Sequence, residues 1–234
     1  KSEVYLMYND NYLFIYAKLF DETPDSIYQI LGLRDDWDGV FEESSDWFSV
    51  DIDSQHDHVN GFSFVVNASG VLADEIIFED SFYDGEWDAI WSAESHISND
   101  GWSVEIAIPF SMLRFSKHEP LVWGINFTRY IKRKDETISW VVLPSDFNGI
   151  CSHFGHLKGL EGIYPPAKFE FRPYILIGPN GFNDKLLPFN PNCPDCYSGF
   201  PDTIKSNYYL GFNGEIGFDL KYRLNSSNYI DLTF

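Results

Sequence analysis

The sequence predicts an all-β protein in which an antiparallel β-sandwich is followed by the first strands of a β-barrel. Three observations lead to this fold class. Aromatic residues make up 18% of the chain, and Tyr, Phe and Trp favour strands. Strand-like runs recur about every 10 to 15 residues with polar turns between them, which is typical of antiparallel sandwiches. Near the C-terminus, one run alternates between apolar and polar residues over a much greater length than an ordinary strand.

The strands of the sandwich can be assigned in chain order. Residues 3–8 and 12–20 flank the turn "NDN" and form the first hairpin. Residues 47–53, "WFSVDID", alternate apolar and polar side chains as a half-buried strand does. Helix signals are thin, with one turn at "PFSMLRF" and two at "DSIYQILGL". Further strands, bounded by polar turns, are expected at 61–67, 71–78, 87–98, 101–110, 121–134 and 137–144.

The chain divides into two domains joined by a linker. A sandwich is expected over residues 1–160, a linker over 161–167 and an incomplete barrel domain over 168–234. The stretch "GLEGIYPPA" contains two prolines and two glycines, as linkers do. Charge changes at the same boundary, because residues 1–164 carry 10 Lys and Arg against 29 Asp and Glu, whereas residues 165–234 carry 6 against 7. The acidic first region repels phosphates, so no nucleic-acid partner is expected.

The run "YYLGFNGEIGFDLKYRL" at residues 208–224 carries bulky apolar side chains at nearly all its even positions and mostly glycine or polar residues at the odd ones. Strands of outer-membrane barrels alternate in this way between lipid and a polar lumen. Residues 168–234 are therefore expected to contact outer-membrane lipid. The alternative is a long hairpin in a soluble protein. So few strands do not close a barrel, so the remaining strands are expected to follow this sequence.

An acidic stretch is rich enough in carboxylates to bind a cation. Residues 35–57 contain nine carboxylates and no Lys or Arg. Calcium takes about six to eight oxygen ligands, often from Asp and Glu in loops. Asp36, Asp38 and Glu43 are the candidate metal ligands and calcium is the expected ion, although the spacing is not that of an EF-hand. The alternative is a solvated acidic loop.

Arg129 lies in register with the apolar residues of the strand at 121–134, so its guanidinium is expected to be buried. A buried guanidinium is costly unless a carboxylate pairs with it. Glu105 and Glu136 are the expected partners in a structural ion pair. Contact with a ligand is the alternative role of Arg129.

Sugar rings stack on exposed aromatic faces, and four tryptophans lie near loops or strand ends where such a platform would be found. Trp47, Trp87 and Trp91 are the candidate carbohydrate-binding residues, and Trp37 lies in a similar position. Packing against the core is the alternative for each of them.

Cysteines and histidines give weaker signals. Cys193 and Cys196 form a Cys-x-x-Cys pair that is expected to be a small loop disulfide, with free thiols as the alternative. Cys151 is expected to be a buried thiol. The histidines occur as two sequence pairs, each without a clear third ligand for a metal: His56 with His58, and His153 with His156.

Motifs of enzyme chemistry do not occur in the sequence. It contains no nucleophile elbow, P-loop, HExxH or GxGxxG motif, and nothing singles out an acid–base pair among its carboxylates. The chain is therefore not expected to be an enzyme, and a link to glycoside hydrolysis would run through a part outside it.

Residues 1–164 resemble the family 9 carbohydrate-binding module-like domain in the order of their motifs, which include "YNDNYLFIYAKLFDETP", "DWFSVDID", "FSFVVNASGVLAD", "GWSVEIAIPFSMLRF" and "WGINFTRYIKRKDETISW". Residues from about 165 look like the start of a β-barrel domain of unknown function that follows this module in Gram-negative envelope proteins. The marks there are "FEFRPYI" and "GFDLKYRLNSSNYIDLTF". The resemblance implies a β-sandwich, an outer-membrane location and glycan binding.

The sugar contacts of that family do not carry over to this sequence. Its binding members clamp the end of a sugar between two tryptophans, whose positions fall near Glu43 and Asn148 here. The family's glutamate falls on Ser49 and its arginine on Val65. The resemblance therefore implies weak sugar binding at most, because a fold says little about function once the site has changed.

These expectations combine into a non-catalytic protein of the Gram-negative outer membrane. A carbohydrate-binding module, in the periplasm or at the cell surface, would be attached to an outer-membrane barrel and would bind oligo- or polysaccharides. The alternative is a structural plug or gate of the barrel with no sugar ligand. A third possibility is an accessory to an enzyme whose catalytic part lies outside this sequence.

Overall fold

The computed structural model describes residues 1–42, 44–116, 120–142, 149–164, 169–183, 208–223 and 229–233. The chain divides into two compact units, Lys1–Ala167 and Lys168–Phe234. Within the described ranges the regular structure is nearly all β, and the helical elements are isolated turns of three to five residues. No helix in these ranges is long and apolar enough to span a membrane.

The first unit is built from short strands joined by turns and loops. Its described strands are β1 Ser2–Tyr8, β2 Tyr12–Phe20, β3 Trp47–Asp53, β4 Gly61–Asn67, β5 Leu72–Phe78, β6 Phe82–Asp84, β7 Ser92–Ser98, β8 Gly101–Pro109, β9 Leu121–Ile131, β10 Glu136–Ser139 and β11 Gly155–Leu160.

These strands form two antiparallel sheets. The smaller sheet has the order β1-β2-β8-β7, and the larger has the order β10-β9-β3-β4-β5-β6. The long strand β9 pairs with β10 through residues 128–131 and with β11 through residues 121–125. The predicted hairpin β1/β2 is confirmed, and β7/β8 and β9/β10 also pair as antiparallel neighbours.

One hydrophobic core joins the two sheets, because alternate residues of strands from both sheets belong to the same buried cluster. The smaller sheet contributes residues of β2 and β8, and the larger sheet contributes residues of β3, β4 and β9. Trp102 and Trp123 are the largest of the fully buried side chains. Full burial of a large apolar side chain stabilises a fold by about 1.5–3 kcal/mol. The predicted all-β sandwich is confirmed.

The helix signal at residues 25–33 is corrected by the structure. Pro24–Ser26 form one 3-10 turn, and residues 27–33 have no regular structure. The carbonyl oxygens of Tyr28 and Ile30 accept hydrogen bonds from Asp46 N at 2.9 Å and Asn67 Nδ2 at 2.7 Å. Tertiary partners thus take the backbone groups that a helix would use internally.

The second unit is an antiparallel sheet of the order β12-β13-β14, with β12 at Phe169–Asn183, β13 at Tyr208–Arg223 and β14 at Tyr229–Thr233. Register places Ile175 opposite Ile216. Ile216 is 81% exposed and Ile175 is 65% exposed. The same face carries further exposed apolar side chains, namely Phe171, Tyr222, Ile230 and Leu232. Closure of this sheet into a barrel stays a prediction.

Candidate functional site

Strand β3 divides its side chains between the core and the outer face of the larger sheet, which is the face turned away from the core. Phe48, Val50 and Ile52 belong to the core. Ser49 and Asp51 lie between them and therefore on the outer face, because successive side chains of a strand point to opposite faces. The strict alternation of "WFSVDID" thus places hydrogen-bonding groups on the outer face.

A polar row continues from β3 across the neighbouring strands. Asp51 lies opposite Ser63 on β4, and Ser63 lies opposite Glu75 on β5. Ser63 Oγ donates a 2.6 Å hydrogen bond to Asp51 Oδ1. On the other side of β3, Ser49 lies opposite Thr128 of β9. Four adjacent strands therefore present polar side chains on one surface.

The segment before β3 folds over part of this outer face. It contains a five-residue π-helical turn, Trp37–Phe41, and Asp36 caps this turn by accepting a 3.0 Å hydrogen bond from Gly39 N. Two residues of the turn are buried in a second apolar cluster on the outer face, whose members are Val40, Phe41, Val65, Val71 and Ala73. The segment is thereby anchored to the sheet through apolar contacts.

A groove with a volume of about 630 Å³ lies where this segment meets the sheet. Known small-molecule sites have volumes of about 300–1,000 Å³ and combine apolar walls with a few polar groups. The groove is lined by the aromatic residues Trp37, Phe41, Trp47, Tyr83 and Tyr130, the hydroxyl residues Ser49, Ser63, Thr128 and Thr137, the acidic residues Glu42, Asp51, Glu75 and Asp135, and Val65.

The aromatic residues of the groove form two ring pairs. Trp47 and Tyr130 are stacked with centroids 5.6 Å apart, and the hydroxyl of Tyr130 donates a 3.0 Å hydrogen bond to Asp135. Trp37 and Phe41 lie 5.2 Å apart in a tilted arrangement. Trp37 Nε1 is buried and has no hydrogen-bond partner among the described residues. The donor is shielded from solvent, so a ligand acceptor would reach it only after a shift of the Trp37 side chain or its neighbours.

Two carboxyl groups of the groove have raised pKa values. Burial raises the pKa of Asp51 to about 6, although hydrogen bonds from Ser63 and Ser49 act in the opposite direction. Burial raises the pKa of Glu75 to about 7, and the negative charge of Asp51 raises it further. Burial also raises the pKa of the Tyr83 hydroxyl. The groove is therefore acidic and poorly solvated at Asp51 and Glu75, whereas Glu42, Tyr83 and Asp135 are exposed.

Of the three tryptophans predicted to bind carbohydrate, the groove contains Trp47. The other two pack against the main core, Trp91 as a buried residue and Trp87 as a partly buried one. Trp91 is 7% exposed and meets Phe64 edge-on at 5.2 Å, whereas Trp87 lies 5.0 Å from Phe62. Trp91 therefore has little ring surface left for stacking on a sugar, whereas Trp87 keeps part of its surface exposed.

Asp74 explains why Trp91 points inward. Its fully buried carboxylate accepts hydrogen bonds from Trp91 Nε1 at 3.0 Å and from Ala89 N at 2.5 Å, and it forms an ion pair with Arg34. A buried carboxylate is costly without such partners. The segment that carries Ala89 and Trp91 is therefore held against the core.

The predicted metal ligands are not brought together in the described residues. Asp36 caps the π-helical turn, Asp38 is exposed, and Glu43 lies outside the described residues. Within the described ranges, no group of three or more His, Cys, Asp or Glu side chains is arranged to hold a metal ion. Calcium binding at this stretch stays a prediction.

Arg129 is 2% exposed, and its carboxylate partner differs from the two expected. Its Nη1 donates to the carbonyl oxygen of Phe20 at 2.9 Å, and its Nη2 lies 3.6 Å from Asp21 Oδ2. Glu105 and Glu136 are both exposed. The side chain of Arg129 crosses the core to the end of β2, where Asp21 is the next residue, so Asp21 replaces them as the partner.

The ion pair of Arg129 belongs to a small structural network. Arg133 donates two hydrogen bonds to Asp21, both of 2.7 Å. Burial raises the pKa of Asp21, but hydrogen bonds from Arg133 and Thr23 N outweigh this effect and hold the pKa below its usual value. Burial lowers the pKa of Arg129. The network ties the end of β2 to β9 and the turn that follows it.

Cys151 and the described histidines are not among the residues that line the groove. Cys151 is a buried thiol that packs with Ile77 and Phe154, and Cys193 and Cys196 lie outside the described residues. The three-dimensional fold groups the histidines differently from the sequence, since the ring of His56 lies 4.4 Å from that of His58 and 5.0 Å from that of His156.

The groove was not recognised from the sequence as a site. Ser49 and Val65, which replace the contact residues of the resembled family, lie opposite each other on its floor. Asp51, Ser63 and Glu75 lie beside them and were not singled out. The polar residues that alternate with the core residues of β3 could have indicated a polar outer face. That Glu75 of β5 lies on the same face could be known only from the strand order β3-β4-β5.

The fold of the chain is similar to that of a solved structure. It aligns with the crystal structure of a "putative carbohydrate-binding protein" from Bacteroides uniformis, with a TM-score of 0.53 and 11% sequence identity, over 68% of this chain and 78% of that chain. What the two share is the fold. No family model matches the sequence, and no curated protein matches it.

Proposed function

We propose that the first unit is a non-catalytic module that binds a carbohydrate in the groove. The observation that carries this proposal is the combination of aromatic walls and a polar floor in one concave site. Trp47 is partly exposed and offers a ring face for the apolar C–H face of a sugar, and the buried ring of Tyr130 stacks against it. Ser49, Thr128 and Thr137 offer hydroxyls that exchange hydrogen bonds with sugar hydroxyls.

The unpaired donor of Trp37 supports the same function. A buried donor without a partner costs about 1–3 kcal/mol, and a sugar hydroxyl that accepts from Trp37 Nε1 would recover part of that cost. Trp37 lines the groove, so a shift of its side chain on binding would bring Nε1 to the ligand. We therefore expect more polar groups of the groove to have hydrogen-bond partners when a sugar is bound than when the groove is empty.

The finer assignment to the family 9 module-like group rests on the motif order in residues 1–164. The family's sugar contacts are replaced here, so the ligand would be held by the groove residues described above. We expect millimolar affinity for a neutral sugar, about −4 kcal/mol, because one stacking contact and a few exchanged hydrogen bonds leave little net free energy.

An outer-membrane location is proposed for the same protein, and the exposed apolar face of the second unit supports it. Ile175 and Ile216 lie side by side on that face and are largely exposed. An apolar face of this kind needs a cover, and barrel strands of outer-membrane proteins place such a face against lipid. The first unit would then bind glycans in the periplasm or at the cell surface.

The binding proposal is tested by isothermal titration calorimetry of the whole chain against oligosaccharides of xylan, cellulose and chitin. Trp47→Ala is expected to weaken binding about tenfold, a change of ~1.4 kcal/mol. Trp140→Ala is the matched control, because Trp140 is exposed and is not among the residues that line the groove. No binding to the whole panel, or equal loss in both variants, would contradict the proposal.

A further inference from the structure

We infer that the groove prefers an amino sugar that carries a free ammonium group over the corresponding neutral sugar. This inference rests on the proposed carbohydrate function and names the ligand class of the same groove. It is carried by the charge of the lining residues, the unpaired state of a partly buried carboxylate and the position of that carboxylate beside an aromatic ring.

The lining residues of the groove are acidic without compensation. Four of them carry carboxylates, and none is Lys, Arg or His: the carboxylates belong to Glu42, Asp51, Glu75 and Asp135. Nearby arginines are engaged elsewhere in the described structure, since Arg34 pairs with Asp74 and Arg133 with Asp21. A cationic ligand therefore meets complementary charge here, whereas an anionic ligand is repelled.

Glu75 is the carboxylate best placed to receive an ammonium. Asp51 accepts a hydrogen bond from Ser63, Asp135 accepts one from Tyr130, and Glu42 is exposed to solvent. Glu75 has no hydrogen bond or ion pair within the described residues, and the charges that act on it are those of other carboxylates. A partly buried carboxylate of this kind gains a partner when a cation binds.

The surroundings of Glu75 leave room for such a group. A Cβ atom placed on Gly85 would lie 3.7 Å from Glu75 Oε1 and 3.4 Å from Trp37 Nε1, so both polar atoms lie beside a residue that has no side chain. Trp37 and Tyr83 also line this groove. An ammonium beside Glu75 would donate a charge-assisted hydrogen bond to its carboxylate.

Two strand spacings separate the carboxylates at the ends of the polar row. Asp51 and Glu75 flank Ser63 on adjacent strands, which puts their Cα atoms about 10 Å apart. A sugar ring that lies between them presents its hydroxyls to Ser63 and its ammonium to Glu75. The geometry thus gives the two ends of one sugar residue different partners.

The test compares two ligands that differ only at the C2 nitrogen. Oligomers of glucosamine and of N-acetylglucosamine, matched in length, are titrated into the whole chain by calorimetry at pH 6 and low salt. Glucosamine oligomers are expected to bind at least tenfold more tightly. The pKa of Glu75 is raised to about 7, so this group holds a proton at pH 6 in the free protein. Binding of an ammonium is expected to ionise Glu75 and release that proton, so the binding heat should depend on the buffer.

Two variants assign the preference to a residue. Glu75→Gln keeps the shape of the side chain and is expected to abolish both the tenfold preference and the proton release, while binding of N-acetylglucosamine oligomers is retained. Glu94→Gln is the matched control, because Glu94 is exposed on β7 of the smaller sheet. It is expected to change neither quantity.

The outcomes separate this inference from the proposed function. Equal binding of the two ligands, or tighter binding of the N-acetylated one, overturns the ammonium preference and leaves carbohydrate binding intact. A preference that survives Glu75→Gln also overturns it, because the preference then reflects the overall negative charge of the chain. Absence of binding by either ligand overturns the proposed function and the inference together.

Discussion

Ser63 and Asp51 face each other across strands β4 and β3, and the Ser63 hydroxyl donates a 2.6 Å hydrogen bond to the Asp51 carboxylate. The pair lies on the outer face of the sheet, in the floor of the groove. A hydrogen bond to a carboxylate favours its charged form, yet burial outweighs this effect and raises the pKa of Asp51 to about 6. The groove therefore holds an acid whose charge is costly.

Removal of that charge is expected to stabilise the protein at high pH. The raised pKa of Asp51 means that the folded protein holds a proton that the unfolded chain releases, so its contribution to stability is present below about pH 4 and is lost as pH rises through about 6. Asp51→Asn should therefore gain about 1–3 kcal/mol at pH 8 and little at pH 4.

Thermal unfolding at both pH values measures this gain, at about 2–4 °C for each kcal/mol. Asp38→Asn is the control, because Asp38 is exposed and is expected to show no change in the difference between pH 4 and pH 8. A stability difference between Asp51→Asn and the parent that is constant from pH 4 to pH 8 would contradict the assignment of a buried, protonated carboxyl.

Loss of the Arg129 guanidinium is expected to destabilise the sandwich. Arg129→Met leaves the Phe20 carbonyl oxygen without its 2.9 Å donor and removes one of the two cations beside Asp21. The expected loss is about 2–4 kcal/mol in denaturant unfolding. Lys134→Met is the control, since Lys134 is exposed and its ion pair with Glu136 spans 4.0 Å, so a loss within about 1 kcal/mol is expected. Equal effects of the two variants would exclude a structural role for the Arg129 network.

Cys151 is expected to resist alkylation in the folded protein. Its side chain is fully buried, and burial raises the pKa of its thiol, so little reactive thiolate forms. Iodoacetamide treatment followed by peptide mass spectrometry should leave Cys151 unmodified until denaturant is added. Rapid modification without denaturant would show that the cluster with Ile77 and Phe154 opens readily.

Gly61→Ala tests how tightly the surroundings of Cys151 are packed. The added Cβ would lie 3.1 Å from Cys151 Sγ, so we expect this variant to have a lower melting temperature.

The membrane proposal for the second unit makes a paired prediction. Ile216→Arg places a charge on the exposed apolar face of β13, at a cost of about 2–4 kcal/mol if that face meets the middle of a lipid bilayer. Asn213→Arg lies at a position of opposite parity on the same strand and should be tolerated. Outer-membrane assembly of the natural protein that contains this chain is the readout. Equal assembly of both variants would identify the sheet as an ordinary long hairpin.

Much of the fold followed from local patterns. The alternation of "WFSVDID" and of the run at 101–110 identified both strands and their core-facing sides, because each strand packs one face against the same core. The segment at 25–33 was misjudged because its backbone bonds to Asp46 and Asn67, which are distant in sequence. Local helix propensity does not contain that information.

The candidate site followed from the sequence only in part. Trp47 was singled out, whereas Trp91 is held in the core by Asp74, a partner that only the fold brings near. Asp51 and Glu75 belong to different strands and meet in one groove through the order β3-β4-β5. The partner of Arg129 was likewise set by where β2 ends, not by spacing along β9.

The most direct measurement of the central claim is a sugar titration of ¹⁵N-labelled protein that follows the seven tryptophan indole N–H resonances. If carbohydrate binds in the groove, the Trp37 and Trp47 signals should shift together and saturate with one affinity, because both side chains line it. The signals of Trp102 and Trp123, which are fully buried in the main core, and of the exposed Trp140 should stay in place. Unchanged Trp37 and Trp47 signals at saturating sugar, or a shift confined to Trp140, would contradict the groove as the binding site.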